Sequence, residues 1–300
     1  QRLLQLARAA KQADIDLFVL DDGWFQGRND DSTSLGDWVA DPAKLPGGLP
    51  GLCKKINDIG LDFGLWVEPE AISPDSDLYR THPDWALHIS GRPRSEGRHQ
   101  LILDLTRQDV QDYLYDSIAK ILETGMIAYV KWDFNRNMAE VGSALLDAKR
   151  QREIPHRYYL GLYALLERLV TAFPDVLFES CSGGGGRFDA GMLYYMPQTW
   201  TSDNSDAIER LKIQYGTSLV YPLSAMSAHV SASPNHQTGH VTDFATRLTV
   251  ALTGSFGYEL DPTAISEDER QAIRESAALF KELGAVLAEG DYHRLISPYD

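Results

Sequence analysis

Short runs of β-branched and aromatic residues recur along this chain, several of them closed by an acidic residue and each followed by a turn and a helix-forming stretch. That alternation constrains the fold more than any other feature, because strands separated by helices can return in the same direction and pair in parallel. The runs that read as strands are 17–20, 63–67, 128–132, 177–179, 199–201, 228–230 and 256–259. The helical stretches are 2–12, 50–60, 109–123, 156–172, 205–219, 241–253 and 267–288, the last opening on Ser266 as an N-cap. The pattern predicts an α/β fold, a (β/α)8 TIM barrel with seven of its eight strands present. Because the chain opens on a helical pattern rather than a strand, the strand expected to be lacking is the first.

No linker, repeat or compositional break divides the chain, so residues 1–290 read as the barrel and 291–300 as the start of a truncated C-terminal β-domain, with Tyr292–Ser297 as its first segment. The stretch 68–108 is long for one connection and holds a short apolar run, Leu101–Leu105, read here as part of a loop excursion.

Of the 300 residues 43% are apolar and 24% charged, which suits a folded soluble domain. A net charge of -15, from 28 basic and 43 acidic residues, excludes a phosphate-backbone footprint, so neither nucleic acid nor an anionic membrane is an expected partner. The two cysteines, Cys53 and Cys181, lie far apart and suggest neither a disulfide framework nor a zinc ribbon, which favours a reducing, cytoplasmic setting. No apolar run is long enough to span a bilayer. The first residue is Gln1, and upstream sequence, with any targeting signal, is expected to be missing.

The carboxylates carry the chemistry. Asp21 and Asp22, Glu68 and Glu70, Asp133, Glu179 and Asp203 all fall at the carboxyl ends of expected strands, the edge on which barrel enzymes assemble their sites. An aspartate after a strand is often only a helix cap. Five acidic strand ends together are poorly explained that way, and crowded carboxylates with few cations shift one another's proton affinities so that an acid and a base can sit side by side. Glycoside hydrolysis needs that pairing: one carboxylic acid to protonate the leaving oxygen and one carboxylate to attack or to activate water. Trp24, Trp66, Trp132 and Trp200 lie beside the same ends, consistent with stacking on apolar sugar faces; core packing explains Trp132 and Trp200 equally well, and Trp66 less well.

Other signals are weaker. The tract Gly183–Gly186 lacks the Lys-Ser/Thr of a phosphate loop, the acidic stretch 29–37 lacks the glycine and glutamate of a calcium loop, and Cys181 has no base histidine in an interpretable position. His236 and His240 are spaced for one helical face, but Pro234 and Gly239 argue against a helix, so no metal is expected.

The segments LFVLDDGWF (17–25), GLWVEPE (64–70), YVKWDFNRN (129–137), ESCSGGGGRFD (179–189) and TSDNSDAIERLKIQYG (201–216) resemble, in order and separation, those of the α-galactosidases of glycoside hydrolase family 36. The resemblance covers almost the whole chain. It implies a retaining enzyme without cofactor, with Asp133 as nucleophile and Asp203 as general acid/base, acting on terminal α-1,6-linked galactose of melibiose- or raffinose-type oligosaccharides. It further implies that Asp21 and Asp22 hold the 4- and 6-hydroxyls and that Trp66 packs on the sugar. Lys131 and Asn135 would bond hydroxyls around the nucleophile, Arg98 would close one side, and Cys181 and Gly184 would face C2. Lys131 and Arg98 are also cations able to keep a carboxylate ionised.

Family members carry further β-domains and form homo-oligomers, so the 300 residues are expected to be a fragment of a longer enzyme. α-N-Acetylgalactosaminidase activity, galactosyl transfer of the raffinose-synthase kind, and a non-catalytic sugar-binding role stand as alternatives.

Overall fold

The computed structural model describes residues 1–299, which fall into two compact units. One unit comprises Val19–Lys55 and Phe63–Phe178; the other comprises Gln1–Phe18, Ile56–Asp62 and the chain from Glu179 onward.

In the unit of Val19–Lys55 and Phe63–Phe178, strand order runs β1 (Leu17–Leu20), β2 (Asp62–Val67), β5 (Tyr129–Trp132) and the first residues of β6 (Leu177–Ser180). β2 and β5 pair in parallel, Trp66 beside Lys131 and Val67 beside Trp132. The Leu177 amide donates to the Ala128 carbonyl at 3.0 Å, which starts β6 beside β5. The helices α4 (Gln108–Leu122) and α5 (Ile154–Ala172) pack together through buried Leu114, Ile118, Leu162, Leu165 and Leu169. A Cβ on Gly161 would sit 1.8 Å from the Leu105 carbonyl oxygen, so only glycine lets α5 approach that closely. The excursion after β2 is more structured than the sequence suggests. Two-residue strands β3 (Ala71–Ile72) and β4 (Leu101–Ile102) form an antiparallel ribbon, and the short helix α3 (Asp77–Thr81) is capped by Ser76.

In the other unit the order is β6, β7 (Gln198–Trp200), β8 (Met226–Ser231) and β9 (Ser255–Glu259), all parallel. Helix α7 (Ala207–Ser218) begins on the Asp206 cap, and α8 (Phe244–Ala251) on the Asp243 cap. Ala228, Val230, Leu248 and Ala251 form a buried cluster beneath Phe244, Phe256 and Tyr258. Ser266 caps α9 (Glu267–Glu289) through a reciprocal box with Glu269. The helices α1 (Arg2–Gln12), α2 (Gly48–Ile59) and α6 (Ala190–Tyr195) complete the α/β alternation. No helix among the described residues is long and apolar enough to cross a membrane.

Expected and observed elements agree to within one to three residues at each end. Two of the differences bear on the site: β6 runs one residue further than expected, through Ser180, and β7 runs Gln198–Trp200. Glu179 therefore lies inside a strand, with its carboxylate bonded to Ser227 and Gln198, and is not a strand-end acid.

Candidate active site

The last residue of β5 is Trp132, and Asp133 follows it with 6% of its surface exposed. The Asp133 amide donates to the Val67 carbonyl at 2.8 Å, so the ladder between β2 and β5 continues through the residue and fixes its backbone. Its carboxylate is an acceptor for three donors. The Phe134 amide reaches Oδ1 at 2.8 Å, while Trp66 Nε1 at 3.1 Å and Asn135 Nδ2 at 2.6 Å converge on Oδ2.

Glu68 adjoins this group and is 1% exposed. Oε1 accepts the Asn135 amide at 2.7 Å, and Oε2 accepts Asn135 Nδ2 at 3.2 Å and Gln100 Nε2 at 3.3 Å. Burial, then the Asp133 charge, push its carboxyl up to about 7, against the Asn135 bonds and the Arg98 charge. Glu70, by contrast, is a fixed structural acid: Trp132 Nε1 donates to it at 2.8 Å and the Tyr158 hydroxyl at 2.6 Å.

After β1 come Asp21 and Asp22. Lys131 Nζ pairs with Asp21 Oδ2 at 3.0 Å, the Asp21 side chain being 60% exposed. Asp22 is gripped by Arg28, whose Nε and Nη2 approach Oδ1 and Oδ2 at 3.0 and 2.8 Å. Arg28 is 2% exposed, its Nη1 donates to the Thr33 carbonyl, and its own carbonyl takes Lys44. Sequence reasoning missed Arg28, because an isolated arginine in a loop gives no periodic signal; its position six residues after Asp22 is the one hint. Arg98 sits at a positive φ of 52° and pairs with Asp31 at 3.8 Å, both side chains half-exposed or more. Of the two cations expected beside the nucleophile, Lys131 is thus paired with Asp21 and Arg98 with Asp31.

The other unit carries Asp203, Cys181 and Gly184. Asp203 lies three residues beyond β7 and is exposed, and its Oδ1 accepts Trp200 Nε1 at 3.0 Å. The Trp200 ring is packed between Arg210, with Cζ 4.1 Å from the ring centroid, and His229, 4.6 Å away. Arg210 is 1% exposed and donates to Thr201 Oγ1 and to the Ser202 carbonyl, at 2.5 and 2.6 Å. Burial lowers its guanidinium to about 10, while Glu259, Asp203 and Glu179 oppose that loss. Gly184, at φ 84°, packs under the same loop: a Cβ there would meet Ser202 Cα at 2.6 Å and the Asp203 amide at 2.8 Å. Cys181 is 1% exposed, directly after β6.

The tryptophans divide by role. Trp24 and Trp132 are core, at 2% and 0% exposure, and Trp24 Nε1 donates to the Trp66 carbonyl. Trp66 and Trp200 each donate to a candidate catalytic carboxylate. His229 pairs with Glu259 at 3.6 Å and His240 with Asp206 at 2.8 Å, while His236 is exposed.

A family model described as Melibiase matches residues 1–290. The α-galactosidase AgaA of Geobacillus stearothermophilus is 58% identical over 100% of this chain, and the bifunctional α-galactosidase/sucrose kinase AgaSK of Mediterraneibacter gnavus is 52% identical over 99% of it. The chain spans 41% and 31% of those two proteins. The crystal structure of the former, a glycoside hydrolase family 36 enzyme, superposes with a TM-score of 0.98 over 99% of this chain and 42% of its own. A substituted form of AgaA in complex with raffinose superposes at 0.97, with 57% identity over 99% of this chain and 41% of its own.

Proposed function

The chain belongs to the Melibiase family, and from that premise we propose that it is the catalytic portion of a retaining α-galactosidase acting on raffinose-type oligosaccharides. The observation that carries the reading is the Asp133 carboxylate, held at a strand end by three hydrogen-bond donors. Such a group is poised as a nucleophile. In the first step a carboxylate oxygen of Asp133 attacks the anomeric carbon, the bond to the glycosidic oxygen breaks, and Asp203 gives that oxygen a proton. In the second, Asp203 removes a proton from water, which attacks the same carbon and releases Asp133.

Asp21 and Asp22, each braced by a cation, are acceptors for sugar hydroxyls, with Lys131 as a donor and the Asn135 side-chain oxygen as an acceptor on the nucleophile side. Trp66 is assigned to the sugar ring, Arg98 to the site's edge, and Cys181 and Gly184 to C2. The parallel strands are read as most of a (β/α)8 barrel.

The test is azide rescue in the intact protein. Asp133→Ala should abolish hydrolysis of an aryl α-galactoside and, with azide, give the inverted β-azide. Asp203→Ala should still form the intermediate from a good leaving group, and azide should then give the retained α-azide. Survival of ordinary turnover in folded Asp133→Ala protein would remove the nucleophile assignment.

A further inference from the structure

Glu68 has no part in the two displacement steps, yet it is the most tightly enclosed titratable group next to the nucleophile. Its two oxygens take both donors of Asn135, the backbone N–H at 2.7 Å and the side-chain amide at 3.2 Å. That side-chain nitrogen has two protons, and the second points to Asp133 Oδ2 at 2.6 Å. One amide therefore bridges two carboxylates, and moving either end moves the other. Gln100 closes the far side, donating from Nε2 to Glu68 while its own Oε1 is buried without a hydrogen-bond partner. A half-turn of the Gln100 amide would offer that oxygen to a proton on Glu68, so the same pocket accepts the acid in either protonation state. The charged groups that act on Glu68 are Asp133, from the end of β5, and Arg98, from the excursion. Glu70, nearby in the chain, is already held by Trp132 and Tyr158.

Two buried carboxylates sharing one amide cannot both be ionised without mutual repulsion. We propose that Glu68 is the positioning residue of the nucleophile: through Asn135 it fixes the Asp133 carboxylate, and it gives up a proton to solvent when Asp133 becomes an ester and recovers one when Asp133 is released. The inference rests on the assignment of Asp133 as nucleophile. Its balance is simple. Ester formation removes one negative charge from Asp133, the Glu68 O–H bond breaks, its electron pair stays on the carboxylate, and the proton leaves to bulk water. Hydrolysis reverses each change.

The experiment labels the intact protein with 5-fluoro-α-galactosyl fluoride, whose leaving group departs as fluoride without carrying a proton at neutral pH. Peptide mass spectrometry locates the label while an indicator dye in weak buffer counts protons. Asp203 gives up its proton in this step in either protein; because Glu68 titrates at about 7 beside ionised Asp133, wild type should release up to about half a proton more per labelled site at pH 7, rising as pH falls below 7 and vanishing at alkaline pH. Glu68→Gln should label at the same residue and release only the Asp203 proton. Label on Asp133 with equal release from wild type and Glu68→Gln overturns the role of Glu68 and leaves the nucleophile assignment intact. Label elsewhere overturns that assignment instead. If Glu68→Gln fails to fold, the pH dependence of wild-type release decides: a flat yield across neutral pH contradicts the proposal.

Discussion

The indole nitrogen of Trp66 donates to Asp133 Oδ2 across 3.1 Å, on the oxygen that also takes the Asn135 amide. A hydrogen bond to an ionised carboxylate contributes about 1.5–3 kcal/mol. Trp66→Phe keeps a ring in the buried slot and removes only the donor. We expect kcat/KM to fall about 10- to 100-fold with little change in unfolding free energy. Unchanged kinetics in a folded variant would mean that the contact does not act on the nucleophile.

Arg210 supports the other candidate carboxylate indirectly, stacking on the indole that binds Asp203 and holding the Ser202 carbonyl. It is also the buried cation among Glu259, Asp203 and Glu179. Arg210→Met leaves those acids without it, and a loss of about 3 kcal/mol is expected from chemical denaturation. A loss below about 1 kcal/mol would show that water or a neighbouring group replaces the guanidinium.

Gly184→Ala would place a Cβ 2.6 Å from Ser202 Cα in a residue held at φ 84°. The strain and the overlap together should cost about 2–4 kcal/mol. Because the displaced backbone carries Asp203, substrates whose leaving groups need a proton should slow more than nitrophenyl galactosides do. Equal slowing of both classes would separate Gly184 from the acid/base step.

Glu68 also sets a pH dependence of stability. Its folded-state value of about 7 lies above its ordinary 4.5, so within that window the folded protein binds more protons than the unfolded chain. Its contribution is therefore fully present at the acid end and is lost as pH rises through about 7, a change of about 3 kcal/mol. Urea unfolding of wild type and Glu68→Gln at several pH values checks this: the variant should lack the decline. Parallel curves would place the titration elsewhere.

Parallel strands with acids at their ends, and the helices between them, are legible in the sequence because periodicity and strand chemistry act over whole elements. Asp133 and Asp203 are legible as acids beyond clear strands, but only the resemblance of their motifs picks them out from the other strand-end acids. The excursion after β2 is not legible, since strands of two residues such as Ala71–Ile72 have no period to detect. Arg28, Arg210 and Glu68 were not assigned their roles for a different reason. Their importance comes from burial against partners distant in sequence or from a shared amide, and residue type alone favours the solvent for all three. Glu179 shows the converse, where a strand longer by one residue converts an expected site acid into an internal bond between neighbouring strands.

The pairing of Trp66 with Lys131 and of Val67 with Trp132 has a consequence for how this strand can change over generations. Alternate side chains of β5 face opposite ways, so Lys131 and Asp133 share a side and Trp132, wholly buried against Glu70, takes the other. Loss of a single codon within β5 would turn Asp133 into the place of that indole. Substitutions can accumulate there one at a time, whereas a change of length reverses every side chain at once. The connections are where a change of length is tolerated, because an extra residue there does not alter which group reaches the strand end.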